Sequence, residues 1–294
     1  MRRRLLLPGL LLPGHLAAQA VQAAPLVVTL RQPESGTDPR QAYDHAVIRL
    51  ALDKTLASHG PYRLELAPAM NIQRALVSAA QRRHPNFLVV TGPDPARTAA
   101  GLVPVRFPLH LGAVGYRVCF VSPQARDAVA QARTLDALRR FRIVQGDGWA
   151  DGAILRANGF RVEEVPSYEA MFRMVAQGRV DLFCRSVLEV RNEALAHADL
   201  PALTLDRSFA LVYDLPQFFY THQSNRQLVE RLTAGLAAAH ADGSLLALFR
   251  AHMRASLRYA DLPSRRLFRL ATPPVEGLDF DHRRYDLDLA RELH

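Results

Sequence analysis

Five residues behind the first predicted strand are the earliest in this 294-residue sequence with types suited to recognition: Glu34, Ser35, Asp38, Arg40 and Tyr43. They belong to or follow the loop Gln32-Pro33-Glu34-Ser35-Gly36, which leaves a strand over 27–30 at the usual mouth of an open α/β sheet. Carboxylates and a guanidinium placed there contact a polar ligand or organise the turn itself. Catalytic signatures do not accompany them. There is no GxSxG elbow, although scattered serine, histidine and aspartate residues can converge from distant positions. No GxxxxGK[ST] run or glycine-rich dinucleotide turn is present. The histidines lack metal-ligand spacing, and two cysteines fall short of a structural zinc site. Met171 and Met174 read as a core stripe before a soft-metal pair. Neither a cofactor nor a metal is expected.

The elements that must position these residues come in strand–helix–strand order. A helix over 41–58 stops at His59-Gly60-Pro61, where glycine suits a left-handed cap and proline cannot continue. Strands over 62–66 and 87–90 flank a helix over 70–82. Residues 115–121, GYRVCFV, make a strong central strand, and residues 101–108 read as a linker. A second alternating block follows, with strands over 141–145, 160–165 and 180–184 between helices over 134–140, 149–158, 168–177 and 187–196. Extended pieces over 209–213 and 217–220 lead to helices over 227–241 and 244–252. Beyond 262 the Pro- and Arg-rich chain is expected to wrap the surface as a tail. Such alternation implies mostly parallel sheets covered by helices.

The N-terminus carries Arg2, Arg3 and Arg4, an interrupted apolar stretch to Ala18, and small residues ending in Ala23 and Ala24. That is the layout of a secretory signal peptide, cut after Ala23. Its apolar core is too short to span a bilayer of roughly 20 residues, so no stable membrane insertion is expected. About 270 residues remain, near the size where one core gives way to two. The formal charge of +9 raises nucleic-acid binding, but the arginines are scattered among acids without a basic stripe or interleaved aromatics. A generally basic surface is the expectation, with no nucleic-acid partner. Cys119 and Cys184 lie in apolar, strand-like runs and are expected as two free buried thiols, although export permits a bridge.

Four segments in fixed order resemble the type 2 periplasmic solute-binding proteins, in the branch related to amino-acid-binding proteins of ABC transporters. They are residues 134–160 (TLDALRRFRIVQGDGWADGAILRANGF), 165–183 (VPSYEAMFRMVAQGRVDLF), 215–225 (LPQFFYTHQSN) and 235–249 (GLAAAHADGSLLALF). The resemblance covers roughly residues 26–253 and implies two α/β lobes, each a mostly parallel sheet flanked by helices, joined by a two-crossover hinge. The crossovers would lie near 111–119 and 208–219. Lobe 1 would comprise residues 24–115 and 216–262, lobe 2 residues 116–215, and the surface tail residues 263–294.

The same resemblance places Arg97, in TGPDPAR, where relatives clamp a ligand carboxylate with a planar, bidentate fork. Thr91 at the preceding strand end adds a hydroxyl. Gly146-Asp147-Gly148-Trp149 falls where relatives present a helix N-terminus, whose free N–H groups suit an anion. Asp147 is equally placed to cap that helix, and Trp149 either stacks on the ligand or packs into the lobe. Where relatives hold an ammonium with a second aspartate, five positions after Asp181, this chain has Ser186 preceded by Arg185. A hydroxyl beside a cation cannot replace a carboxylate. Arg185, Arg97, Arg117 and Arg106 instead suit a carboxylated or otherwise anionic ligand.

The reading that results is a monomeric, non-enzymatic periplasmic receptor that closes on a small polar or anionic molecule for an ABC-type permease. A ligand-sensing or structural periplasmic protein, with a sensor domain in place of a permease, is the alternative. A hydrolytic enzyme is the remotest one.

Overall fold

The computed structural model describes residues 24–36, 38, 40–272 and 278–292. The expected signal peptide over 1–23 lies outside the described residues. Twelve strands occur among them: β1 Leu26–Leu30, β2 Tyr62–Leu66, β3 Val89–Thr91, β4 Leu102–Pro104, β5 Tyr116–Val121, β6 Arg142–Gly146, β7 Arg161–Val165, β8 Leu182–Ser186, β9 Thr204–Leu205, β10 Phe209–Val212, β11 Phe218–His222 and β12 Arg266–Arg269.

The first lobe holds two small sheets. β1 pairs in parallel with β2 from Leu26↔Tyr62 to Leu30↔Leu66, while β11 lies antiparallel between β3 and β4. A parallel bridge, Leu30↔Leu88, brings the two together. In the second lobe the order is β12-β10-β5-β8-β6-β7, with β9 also on β5. Both lobes are therefore mixed where mostly parallel sheets were expected. The parallel pairs β1·β2 and β6·β7 arise from strand–helix–strand units. β5 and β11, which receive the chain as it crosses between lobes, run antiparallel to their neighbours.

Burial follows the apolar pattern. Phe120, Phe172 and Phe183 are fully buried around edge-to-face contacts of 5.7 and 5.0 Å, each ring contributing roughly 1.5–3 kcal/mol by leaving water. The Gln41–Lys54 and Arg226–Ala241 helices pack on each other in the first lobe.

The register of β5 on β8 sets Cys119 directly opposite Cys184, with Cα atoms 3.8 Å apart, and the two form a disulfide. This corrects the expectation of free thiols. Each cysteine reads locally as a core residue, and only the pairing of two strands 65 positions apart brings them together.

Two crossovers run side by side at the hinge. Leu109 N–H donates to Gln217 O and Tyr213 N–H to Gly115 O. A side chain at position 115 would collide with the Tyr213 carbonyl, so glycine is required there. The segment beyond 262 is more than a surface tail. β12 adds to the edge of β10 in the second lobe, and the chain then straps the back of the hinge. Arg283 and His282 bind Asp214, Leu287 N–H donates to Leu111 O, and Tyr285 packs on Phe107 of the first lobe.

Candidate functional site

Between the lobes lies a polar cavity of 110 Å³ lined from both sides. Arg31, Arg40, Asp44, Thr91 and His110 come from the first lobe, and Arg117, Trp149, Asp151, Arg185 and Glu189 from the second. A smaller space of 60 Å³ adjoins it, lined by Tyr43, Ser186 and His252 among others.

One short loop supplies both arginines of the first-lobe wall. Arg40 grips Asp38 through two 2.7 Å bonds and reaches Glu34 at 3.0 Å. Arg31 donates to Glu34 at 2.5 Å and to the Met70 carbonyl at 2.9 Å. Burial alone would raise the Asp38 carboxyl, but Arg40 and the N–H groups of Glu34 and Arg40 outweigh it and hold it at about 2.

The second-lobe wall draws on several separate elements. Arg185, near the end of β8, donates to Glu193 and Glu189 at 2.8 Å each. Arg117 at the start of β5 meets Asp151 at 2.9 Å, and Asp151 also accepts from Tyr213 Oη at 2.5 Å. Tyr168 Oη donates to Glu193 at 2.9 Å. Burial pushes the Glu193 carboxyl up, with Glu189 adding to the effect and Arg185 opposing it. Its second oxygen is buried and has no partner among the described residues. Glu189, despite burial, is held below its usual range by Arg185 and Arg117.

The lobes touch across the cleft. The Arg40 guanidinium lies 3.9 Å from the Tyr168 ring centre and 5.7 Å from that of Trp149. Ser35 Oγ donates to Glu169 at 2.7 Å, and Glu169 binds His197 at 2.8 Å. Gly148 faces the Gln73 amide with φ +71°, a left-handed backbone conformation that favours glycine.

Among the sequence-derived candidates, Thr91, Arg117, Trp149 and Arg185 line the main cavity. Tyr43 and Ser186 line the smaller one, the Tyr43 hydroxyl donating to Leu109 O at 3.0 Å. Glu34 and Asp38 hold Arg40 and are not among the cavity-lining residues. Arg97 turns onto its own loop, donating to Gly92 O and lying 3.8 Å from Asp94. It lines a neighbouring groove of 500 Å³ and not the main cavity. Asp147 is exposed and does not cap the Ala150–Ala157 helix, whose N-cap is Trp149 without a side-chain bond. Arg106 is exposed and pairs with Asp279 at 2.5 Å.

Sequence reasoning missed Arg31, Asp44, His110, Asp151, Glu189 and Glu193. Glu189 and Glu193 stand four and eight positions after Arg185, but Arg185 belongs to β8 and not to their helix, so helical spacing does not link them. Asp151 sits in the first turn of its helix. Asp44 and His110, 3.5 Å apart, come from distant segments and carry no local signal. Among the described residues, no group of three or more His, Cys, Asp or Glu is placed to hold a metal ion.

No family model matches the sequence, and no curated protein does. Solved structures do. An ancestral arginine-binding protein bound to arginine aligns with TM-score 0.57 at 12% identity, covering 77% of this chain and 98% of that one. A histidine kinase sensor domain with similarity to periplasmic binding proteins gives TM-score 0.57 at 16% identity, over 79% and 97% of the two chains. The GluR0 ligand-binding core from Nostoc punctiforme, in complex with L-glutamate, gives 0.55 at 13%, over 78% and 99%. The chain has the two-lobed fold of the type 2 periplasmic binding proteins.

Proposed function

We propose that this protein is a non-enzymatic, periplasmic solute-binding receptor whose lobes close on a small, polar, carboxylated molecule for an ABC-type transporter. The observation that carries this reading is a polar cavity lined by charged side chains from both lobes. Ligand contacts made by both walls favour the closed state over the open one, which is how a hinge is biased. Four guanidinium groups and three carboxylates line the cavity, a nearly balanced set that suits a small polar molecule whose carboxylate a guanidinium fork can grip. Its 110 Å³ volume calls for a compact ligand, since a cavity of about 150 Å³ accommodates a benzene.

The lobes are taken as residues 24–115 with 216–262, and 116–215, and the leader as residues 1–23. The Cys119–Cys184 disulfide supports export, because such bonds persist in oxidising compartments. The neighbours that bind arginine and glutamate support an amino-acid-sized ligand. The sensor-domain neighbour keeps a sensor as the second candidate partner beside a permease.

The test is a thermal-shift panel of amino acids, mono- and dicarboxylates and aromatic acids on the mature chain, with small-angle scattering to follow the lobes. A saturable rise in Tm with compaction is expected for a carboxylate. No response across the panel, with unchanged scattering, rejects the receptor reading.

A further inference from the structure

The Arg40 side chain occupies a position that a ligand could otherwise take. It starts in the first lobe, just before the Gln41–Lys54 helix, and lies against two aromatic rings of the second. Its guanidinium is held edge-on by Asp38 and Glu34 and faces Tyr168 at 3.9 Å. Carboxylates at the edge and an aromatic face above form a complete recognition site for a planar cation. Arg40 also borders both the 110 Å³ and the 60 Å³ spaces, together with His110, Val114, Glu189 and Gln217. One side chain thus stands between two compartments of a single cleft.

Building on the receptor reading, we propose that Arg40 is a specificity-determining resident cation: it fills a guanidinium cradle made by Asp38, Glu34, Tyr168 and Trp149 and so excludes cationic ligands from the cleft. Two consequences follow from the geometry. A cationic ligand meets a fixed like charge where its partners would be. Removing the side chain leaves Asp38 without its cation and Glu34 with Arg31 alone, uncovers an aromatic face, and joins the two spaces into one.

The experiment compares the mature wild type with Arg40→Ala, each titrated with methylguanidinium chloride against sodium chloride and urea at equal concentration. Arg40→Ala is expected to gain a saturable Tm rise of about 3 °C at roughly tenfold excess over Kd, specific to methylguanidinium. Wild type is expected to show none. Equal responses to the three additives, none in the variant, or a wild-type response matching the variant's would overturn the proposal. Should Arg40→Ala fail to fold alone, it is refolded with methylguanidinium or sodium chloride. Recovery only with methylguanidinium supports the cradle, and recovery with neither overturns it. A carboxylate panel on wild type runs in parallel. A wild-type carboxylate response with no cation site in the variant sinks this inference alone, whereas a silent wild type sinks the receptor reading.

Discussion

The two walls of the cleft solve the same electrostatic problem in opposite ways. On the first-lobe side, Arg31, Glu34, Asp38 and Arg40 lie within ten residues of one another, and all but the fully buried Asp38 side chain keep some contact with water, the arginine side chains being 10–11% exposed. On the second-lobe side, Arg117, Asp151, Arg185 and Glu193 come from separate elements, and their side chains are 0–7% exposed. A local loop can rearrange when one partner is lost. A buried network cannot, because each ion left alone loses both its partner and any access to water. The second wall should therefore be the rigid one, and substitutions there should cost most.

The sharpest challenge to that contrast is Glu193→Ala, which leaves Arg185 short of a partner inside the lobe. A loss of about 3–5 kcal/mol is expected in urea unfolding. Glu193→Gln should cost clearly less, since an amide oxygen still accepts from Arg185 and Tyr168; equal losses would show that the charge itself is essential. Replacing Cys119 and Cys184 with serine removes the bond across β5 and β8 behind the same wall. About 2–4 kcal/mol should be lost, read as a matching fall in the urea midpoint that reducing agent reproduces in wild type.

On the first wall the expected effects shrink. Asp38→Asn should lose roughly 2 kcal/mol near neutral pH, following the fall of its carboxyl from 3.8 to about 2. The folded value lies below the unfolded one, so this contribution is complete above the unfolded pKa and disappears as pH falls through about 2. Acid unfolding of wild type and Asp38→Asn should converge at low pH, and parallel curves would deny Asp38 that role. Arg106→Ala tests the far end of the scale. Its pair with Asp279 has side chains 47% and 75% exposed, and a change of at most about 1 kcal/mol is expected.

The same contrast explains what could be read in advance. Glu34, Asp38 and Arg40 stood out because a loop after a strand concentrates them in sequence. Arg117 and Arg185 were legible as cations in strand-like runs, yet nothing local showed that each already has a carboxylate partner. An arginine-rich cleft therefore proves to be a nearly balanced one, with Asp151, Glu189 and Glu193 set against it. Arg97 misled for the converse reason: its short segment matched a clamp, but the loop's own Gly92 carbonyl and Asp94 take up its guanidinium.

By itself, the sequence determined most of the succession of strands and helices, though not the short β4, β9 and β12, because side-chain periodicity is a property of neighbours along one chain. It also determined that two α/β units had to share one chain, through the order of those elements. The pairing of Cys119 with Cys184, the antiparallel setting of β5 and β11, and the recruitment of residues 266–269 as β12 were decided only in three dimensions. So was the seating of Arg40 against Tyr168. Each depends on which distant surfaces meet, and the energy of a buried charge or a strand edge is set by the group it finally faces.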